Sequence, residues 1–168
     1  MSRLRLTLLL ALCAFAPTPS GPGPARGIAT HLPVPRFVSL RSDEVNFRAG
    51  PGFQYPVVWV YRRDGLPVEI TGEFDVWRQV TAPDGGTGWV HQATIRPRRS
   101  FFVTADTATL RSRPTDTANP VAYLKQSVTG ELISCTDQAF CEVAVNHVTG
   151  YLARDDFWGT FTGETVKK

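Results

Sequence analysis

Val45 and Phe47 alternate with Asn46 and Arg48, the two-residue period of a strand with one buried face. Gly50-Pro51-Gly52 then stops the run at a turn, because proline fixes φ and glycine tolerates positive φ. Pro56 to Tyr61 follows as a second apolar run rich in β-formers. The same succession returns as Ala108 to Pro114 and then Pro120 to Leu124, with Arg111 about 63 residues after Arg48. The chain is a repeat, and its period predicts two small units.

Phe37 to Leu40 opens the first unit, and Phe53-Gln54-Tyr55 falls in a loop between two proline-marked turns. Arg62-Arg63-Asp64-Gly65 makes a polar turn. Leu66, Val68 and Ile70 share one face of the next strand, Gly72 to Asp75 turns, and Val76 to Thr81 runs back. Pro83 to Gly86 is a hairpin loop that returns through Thr87 to Val90. Five short strands joined by turns, without a helical period, predict a small β-barrel. The second unit repeats the plan from Phe101 to Val103, through Leu110-Arg111, Val121 to Leu124, Glu131 to Cys135, Cys141 to Val145 and Gly150 to Leu152. Asp155 to Trp158 makes a short turn before a closing strand. The expected fold class is all-β, two tandem small barrels over residues 37–97 and 98–162. Residues 26–36, crowded with small residues and prolines, read as a flexible linker, and 163–168 as a loose polar tail.

With 42% hydrophobic and 20% charged residues in 168, the composition is that of a folded globular chain. Each unit is near the lower limit at which one core folds alone. The formal charge of +3 owes much to Arg3 and Arg5; without residues 1–25, 16 basic side chains face 15 acidic ones. The cluster Arg96-Pro97-Arg98-Arg99 lacks the interleaved aromatics of a nucleic-acid surface and reads as a solvated connection. No nucleic-acid partner is expected.

Residues 1–25 read as a signal peptide. Arg3 and Arg5 precede an apolar core from Leu6 to Ala16, shorter than the roughly twenty residues of a membrane span. Pro17, Pro19, Pro22 and Pro24 forbid a helical continuation. Cleavage after Ala16 would place Pro17 next to the cut, so Ser20 and Ala25 are the alternatives. Leu12 before Cys13 is larger than lipoprotein processing prefers, so export without lipidation is the expectation.

Without the leader two cysteines remain. Cys135 and Cys141 end facing strands, with Thr136 to Phe140 between them as a hairpin loop. In an oxidising compartment such a pair reads as a disulfide. A Cys/His nucleophile with His147 would need a thiolate activated on a catalytic scaffold, and no helix start is present to supply one. Zinc typically needs four ligands, and Cys135, Cys141, His147 and His91 lie across both units without metal-like spacing. Asp155-Asp156 reads as a turn start. No metal, no cofactor and no catalytic residue is expected.

The order Val-Asn-x-Arg-x-Gly-Pro-Gly from Val45, then Pro56-Val57, Trp77-Arg78-x-Val80 and Gly88-Trp89-Val90 resembles bacterial SH3 domains. Residues 37–160 together resemble secreted two-SH3 proteins of alphaproteobacteria, through Phe37 to Arg48, Trp59 to Arg63, Gly88 to His91 and Phe157-Trp158-Gly159. The resemblance implies two SH3-like barrels outside the cytoplasm and a binding role, with cell-wall peptidoglycan as the suspected ligand. The second unit departs from the pattern. Tyr151 stands where Gly-Trp is usual, Phe140 where Trp is common, and Ser112-Arg113-Pro114 replaces Ala-Gly-Pro.

If Val76 and Val80 face the barrel interior, Trp77 points outward beside Phe53 and Tyr55. Such a groove would suit extended peptides or sugar faces, and it resembles the peptide groove of eukaryotic SH3 domains. Alternatively Trp77 covers the barrel end under the first loop. Trp59 and Trp89 read as structural, although Trp89 is kept with Phe53, Tyr55 and Trp77 among the groove candidates. Arg48 and Arg111 read as bracing their loops through backbone carbonyls, with ligand carboxylates as the second reading. The expected protein is a non-catalytic, exported monomer, periplasmic or extracellular, whose barrels bind peptidoglycan peptide or glycan. The alternative is a periplasmic adaptor holding an envelope protein through the same groove.

Overall fold

The computed structural model describes residues 25–136 and 139–167. The expected leader lies outside these residues except for Ala25, and so does Lys168. The first unit holds β1 (Arg36–Leu40), β2 (Val45–Arg48), β3 (Val57–Tyr61), β4 (Pro67–Phe74), β5 (Trp77–Thr81), β6 (Thr87–His91) and β7 (Ile95–Arg96). The second holds β8 (Ser100–Val103), β9 (Thr107–Arg111), β10 (Pro120–Lys125), β11 (Thr129–Ser134), β12 (Phe140–Val145), β13 (Val148–Ala153) and β14 (Phe157–Trp158). Each unit is one seven-stranded antiparallel sheet, in the orders β3-β2-β6-β5-β4-β1-β7 and β10-β9-β13-β12-β11-β8-β14. The second order is the first shifted by one unit, so the sequence repeat is a repeat of topology. Seven strands replace the expected five because the opening stretch of each unit pairs as a full strand, β1 and β8, and a two-residue strand too short to carry a period closes each sheet, β7 and β14. A one-turn 3-10 helix precedes each of them, Gln92–Thr94 and Arg154–Asp156.

Alternation builds both cores. Val45, Phe47, Val68, Ile70, Val80 and Val90 are buried together in the first, and Phe101, Val103, Leu110, Val143 and Leu152 in the second. Each such side chain stabilises by about 1.5–3 kcal/mol when fully withdrawn from water. Crossing strands come close at Gly88, where a Cβ would sit 2.7 Å from the Cβ of Phe47, and at its counterpart Gly150, 2.7 Å from Leu110 Cγ. That crowding explains the small residue before Trp89 and before Tyr151.

The units pack against each other. Ser39 Oγ donates to the carbonyl of Arg98 at 2.6 Å and lies 2.7 Å from Ser100 Oγ, with both serines buried. Phe37 meets Trp158 edge-on and also Phe161, each at 4.7 Å between centroids, with the Arg99 guanidinium 5.6 Å from the Phe37 ring centroid. Phe102 of β8 packs against the first core.

Both flanking segments differ from expectation. Residues 26–36, expected as a flexible linker, form a loop closed by an Arg26–Pro33 bridge and fastened to Glu73 on β4. The Glu73 carboxylate accepts from the backbone N–H of Ala29 (3.1 Å) and Thr30 (2.9 Å), from Thr30 Oγ1 (2.7 Å) and from Arg36 Nη2 (2.7 Å). Burial pushes this carboxyl up, but the hydrogen bonds from Thr30 and Arg36 outweigh burial and hold it at about 2. The tail is likewise not loose. Val166 is buried in the second core and exchanges two backbone hydrogen bonds with Cys135, while Glu164 pairs with Arg99 at 2.7 Å.

The disulfide forms as read from the spacing: Cys135 and Cys141 are bonded, with Cα atoms 4.4 Å apart. Both are buried in the second core, so they close the β11–β12 hairpin from inside.

Candidate ligand-binding face

The inward positions of β5 and β6 are Arg78, Val80, Gly88 and Val90, all buried, which turns Trp77, Gln79, Trp89 and His91 to the opposite face. Register then decides which of these meet. Trp89 lies opposite Arg48 of β2 on one side and Gln79 of β5 on the other. Arg48, Trp89 and Gln79 therefore form one row across three strands. Trp77 and His91 are opposite each other in the adjacent row, and Thr81 and Thr87 form the row on the far side. Half-buried Trp89 is at the centre of this row by register, with the Arg48 guanidinium turned to the first loop and the Gln79 carboxamide lying over Gly72 of β4.

The first loop supplies a wall. Phe53 meets Trp77 edge-on at 5.0 Å between centroids and stacks on His91 at 5.8 Å, while Trp77 and His91 are 5.5 Å apart. Arg48 fixes this loop by donating to the carbonyls of Phe53 (3.2 Å) and Tyr55 (2.8 Å), and its guanidinium lies 5.5 Å from the Phe53 ring centroid. Tyr55 packs over Gly50, where a Cβ would come within 2.6 Å of its ring. His91 Nδ1 accepts from the Ala93 N–H at 3.2 Å, which places the proton of a neutral ring on Nε2. Nε2 has no hydrogen-bond partner among the described residues, so the face offers a donor there.

Trp77 corrects the expectation of an outward, solvent-facing ring. Its direction is outward, but Phe53 and His91 cover it to 6% exposure, while Phe53 itself is 71% exposed. Trp59 corrects the structural assignment in the other direction: it lies on β3, at the sheet edge, and is 55% exposed. Of the four candidate residues, Phe53 and Trp77 are in contact, Trp89 is one row away on the same face, and Tyr55 braces the loop. His91 and Gln79 were missed by sequence reasoning. The signal available for them was the two-residue spacing His91–Trp89 and Gln79–Trp77.

Comparison with family models matches residues 41–97 to the bacterial SH3 domain. Those residues are a bacterial SH3 domain. A second β-sheet domain of the same strand order follows it. Among solved structures the chain is similar to NlpC2 from Trichomonas vaginalis, at 13% identity and TM-score 0.35 over 76% of this chain and 49% of that one. It is also similar to NlpC1 from Trichomonas vaginalis, at 14% identity and TM-score 0.35 over 82% and 52%. The chain thus spans about half the length of these structures. No curated protein matches the sequence.

The second domain keeps the bracing and loses the face. Arg111 donates to the Ala118 carbonyl at 3.0 Å, as Arg48 does in the SH3 domain. Arg111 lies opposite Tyr151, and Tyr151 opposite Glu142, in place of Arg48, Trp89 and Gln79. Phe140 pairs with Ala153 where Trp77 pairs with His91, and the loop from Ser112 to Asn119 holds no aromatic residue.

Proposed function

We propose that this is a non-catalytic, exported binding protein whose SH3 domain recognises peptidoglycan, as stem peptide or glycan, on the face centred at Trp89. The observation that carries the reading is the row Arg48–Trp89–Gln79 beside the Phe53–His91–Trp77 wall. An aromatic plane flanked by hydrogen-bonding side chains suits a ligand with apolar faces and polar edges, which sugars and extended peptides both have.

Export is supported by the disulfide, which persists in oxidising compartments. The non-catalytic reading is supported by the same bond, because neither Cys135 nor Cys141 offers a thiolate. Among the described residues no helix is long and apolar enough to cross a membrane. Sedimentation of the purified protein with isolated sacculi tests the proposal. Wild-type protein is expected in the pellet and Trp89→Ala in the supernatant. Wild-type protein left in the supernatant overturns wall binding and leaves the adaptor reading.

A further inference from the structure

A cleft of about 230 Å³ lies where the two domains meet, away from the Trp89 face. The SH3 domain contributes Val60 to Arg63, Leu66, Pro83 and Asp84; the second domain contributes Phe102 and Ser127. Leu66, Phe102 and Pro83 make its lining apolar. Three charged residues line it, Arg62, Arg63 and Asp84, and the last two do not pair with each other.

Each charge is held in place separately. Asp84 Oδ1 accepts from the Tyr61 hydroxyl at 2.7 Å and from the Gly86 N–H at 3.0 Å. Its Oδ2 takes no hydrogen bond, and Asp84 makes no ion pair, among the described residues. Arg63 donates to the carbonyl of Ser127 in the other domain and likewise makes no ion pair among the described residues. The neighbouring Arg62 is exposed and pairs with Glu44 at 2.9 Å. The cleft therefore offers a fixed anion and a fixed cation over an apolar lining. Its volume is below the range of drug-sized or disaccharide sites, about 300–1,000 Å³, and fits one or two amino-acid residues.

We propose that this interdomain cleft binds a zwitterionic ligand of one or two residues, its ammonium at Asp84, its carboxylate at Arg63, and its apolar side chain on Leu66 and Phe102. Such a ligand is either a free amino acid or a free dipeptide. The site is independent of the Trp89 face, and each fails or stands alone.

The test is an amide NMR titration of the full chain without its leader, using leucyl-leucine, its N-acetyl form, its C-terminal amide, and free leucine. Leucyl-leucine is expected to shift the Gly86 and Ser127 signals, with each blocked form weaker by about tenfold or more. Asp84→Asn should abolish the preference for a free ammonium, and Arg63→Gln that for a free carboxylate. Binding of free leucine as well as the dipeptide assigns the site to amino acids; binding of the dipeptide alone assigns it to dipeptides. No shift at millimolar ligand, or equal shifts with the blocked forms, overturns the proposal. Should either variant lose its dispersed spectrum, the blocked ligands on the unaltered protein still decide. Sacculus binding is not the readout, so failure here leaves the wall-binding reading untouched.

Discussion

Phe53 stands edge-on to Trp77, 5.0 Å between ring centroids, and takes the solvent that would otherwise reach the indole. The outer ring is a cover and the inner one a support. Trp77→Ala should therefore act on stability. Truncating a buried Trp costs about 3–5 kcal/mol, a large part of what a domain this small possesses. Thermal melting followed by tryptophan fluorescence is expected to show a collapse of Tm. A Trp77→Ala protein that melts like wild type would mean that the indole bears no packing load.

Trp89→Ala should act on binding. The ring is half-buried at the centre of its row, and a central aromatic anchor contributes about 2 kcal/mol or more, roughly thirtyfold in affinity. Sacculus sedimentation should fall while the circular dichroism melt stays near wild type. Tyr151→Ala in the second domain serves as the comparison and should leave sedimentation unchanged.

The buried Glu73 predicts an acid limb in the stability curve. Its carboxyl is held at about 2 in the folded protein, below the ordinary 4.5. A depressed folded value contributes stability that is fully present above about pH 4.5 and is lost as pH falls toward 2. The full effect is on the order of 3 kcal/mol. Melts across that window should show a steeper decline for wild type than for Glu73→Gln, with the Thr30 amide losing exchange protection. Parallel curves for the two proteins would contradict the Glu73 assignment.

The disulfide predicts that unreduced, unfolded protein lacking residues 1–25 has no thiol to label. Reduction should lower stability by about 2 kcal/mol, the scale for a short closed loop, read from urea midpoints. It should also loosen Val166, whose backbone is hydrogen-bonded to Cys135. Labelling of one or two thiols before reduction would refute the pairing.

What the sequence made legible were features written in local spacing. Val45 and Phe47 announced an inward face, Cys135 and Cys141 a hairpin wide enough to be bonded, and Arg48 a loop needing a brace. What it hid depends on partners distant along the chain. Alternation gave Trp77 its direction, but Phe53 decides its exposure from another strand's loop. Trp59 looked structural because apolar runs usually pack, yet β3 has a neighbour on one side only. Residues 26–36 lack any apolar period, and their order comes from one carboxylate at Glu73. Two-residue spacing puts Gln79 on the face of Trp77 and His91 on that of Trp89, but which of them lie opposite each other is set by cross-strand register, which no single strand records.

The buried contact between Ser39 and Ser100 bears on how a ligand would be met. Two modules on a supple tether tumble separately, and each must be oriented anew when something binds. Here the serines, with Phe37 against Trp158, remove the swivel, so the angular freedom between the domains is surrendered during folding. A ligand caught on the Trp89 face would therefore bring the second domain to rest in one attitude, and the junction would act as a torque arm rather than a leash.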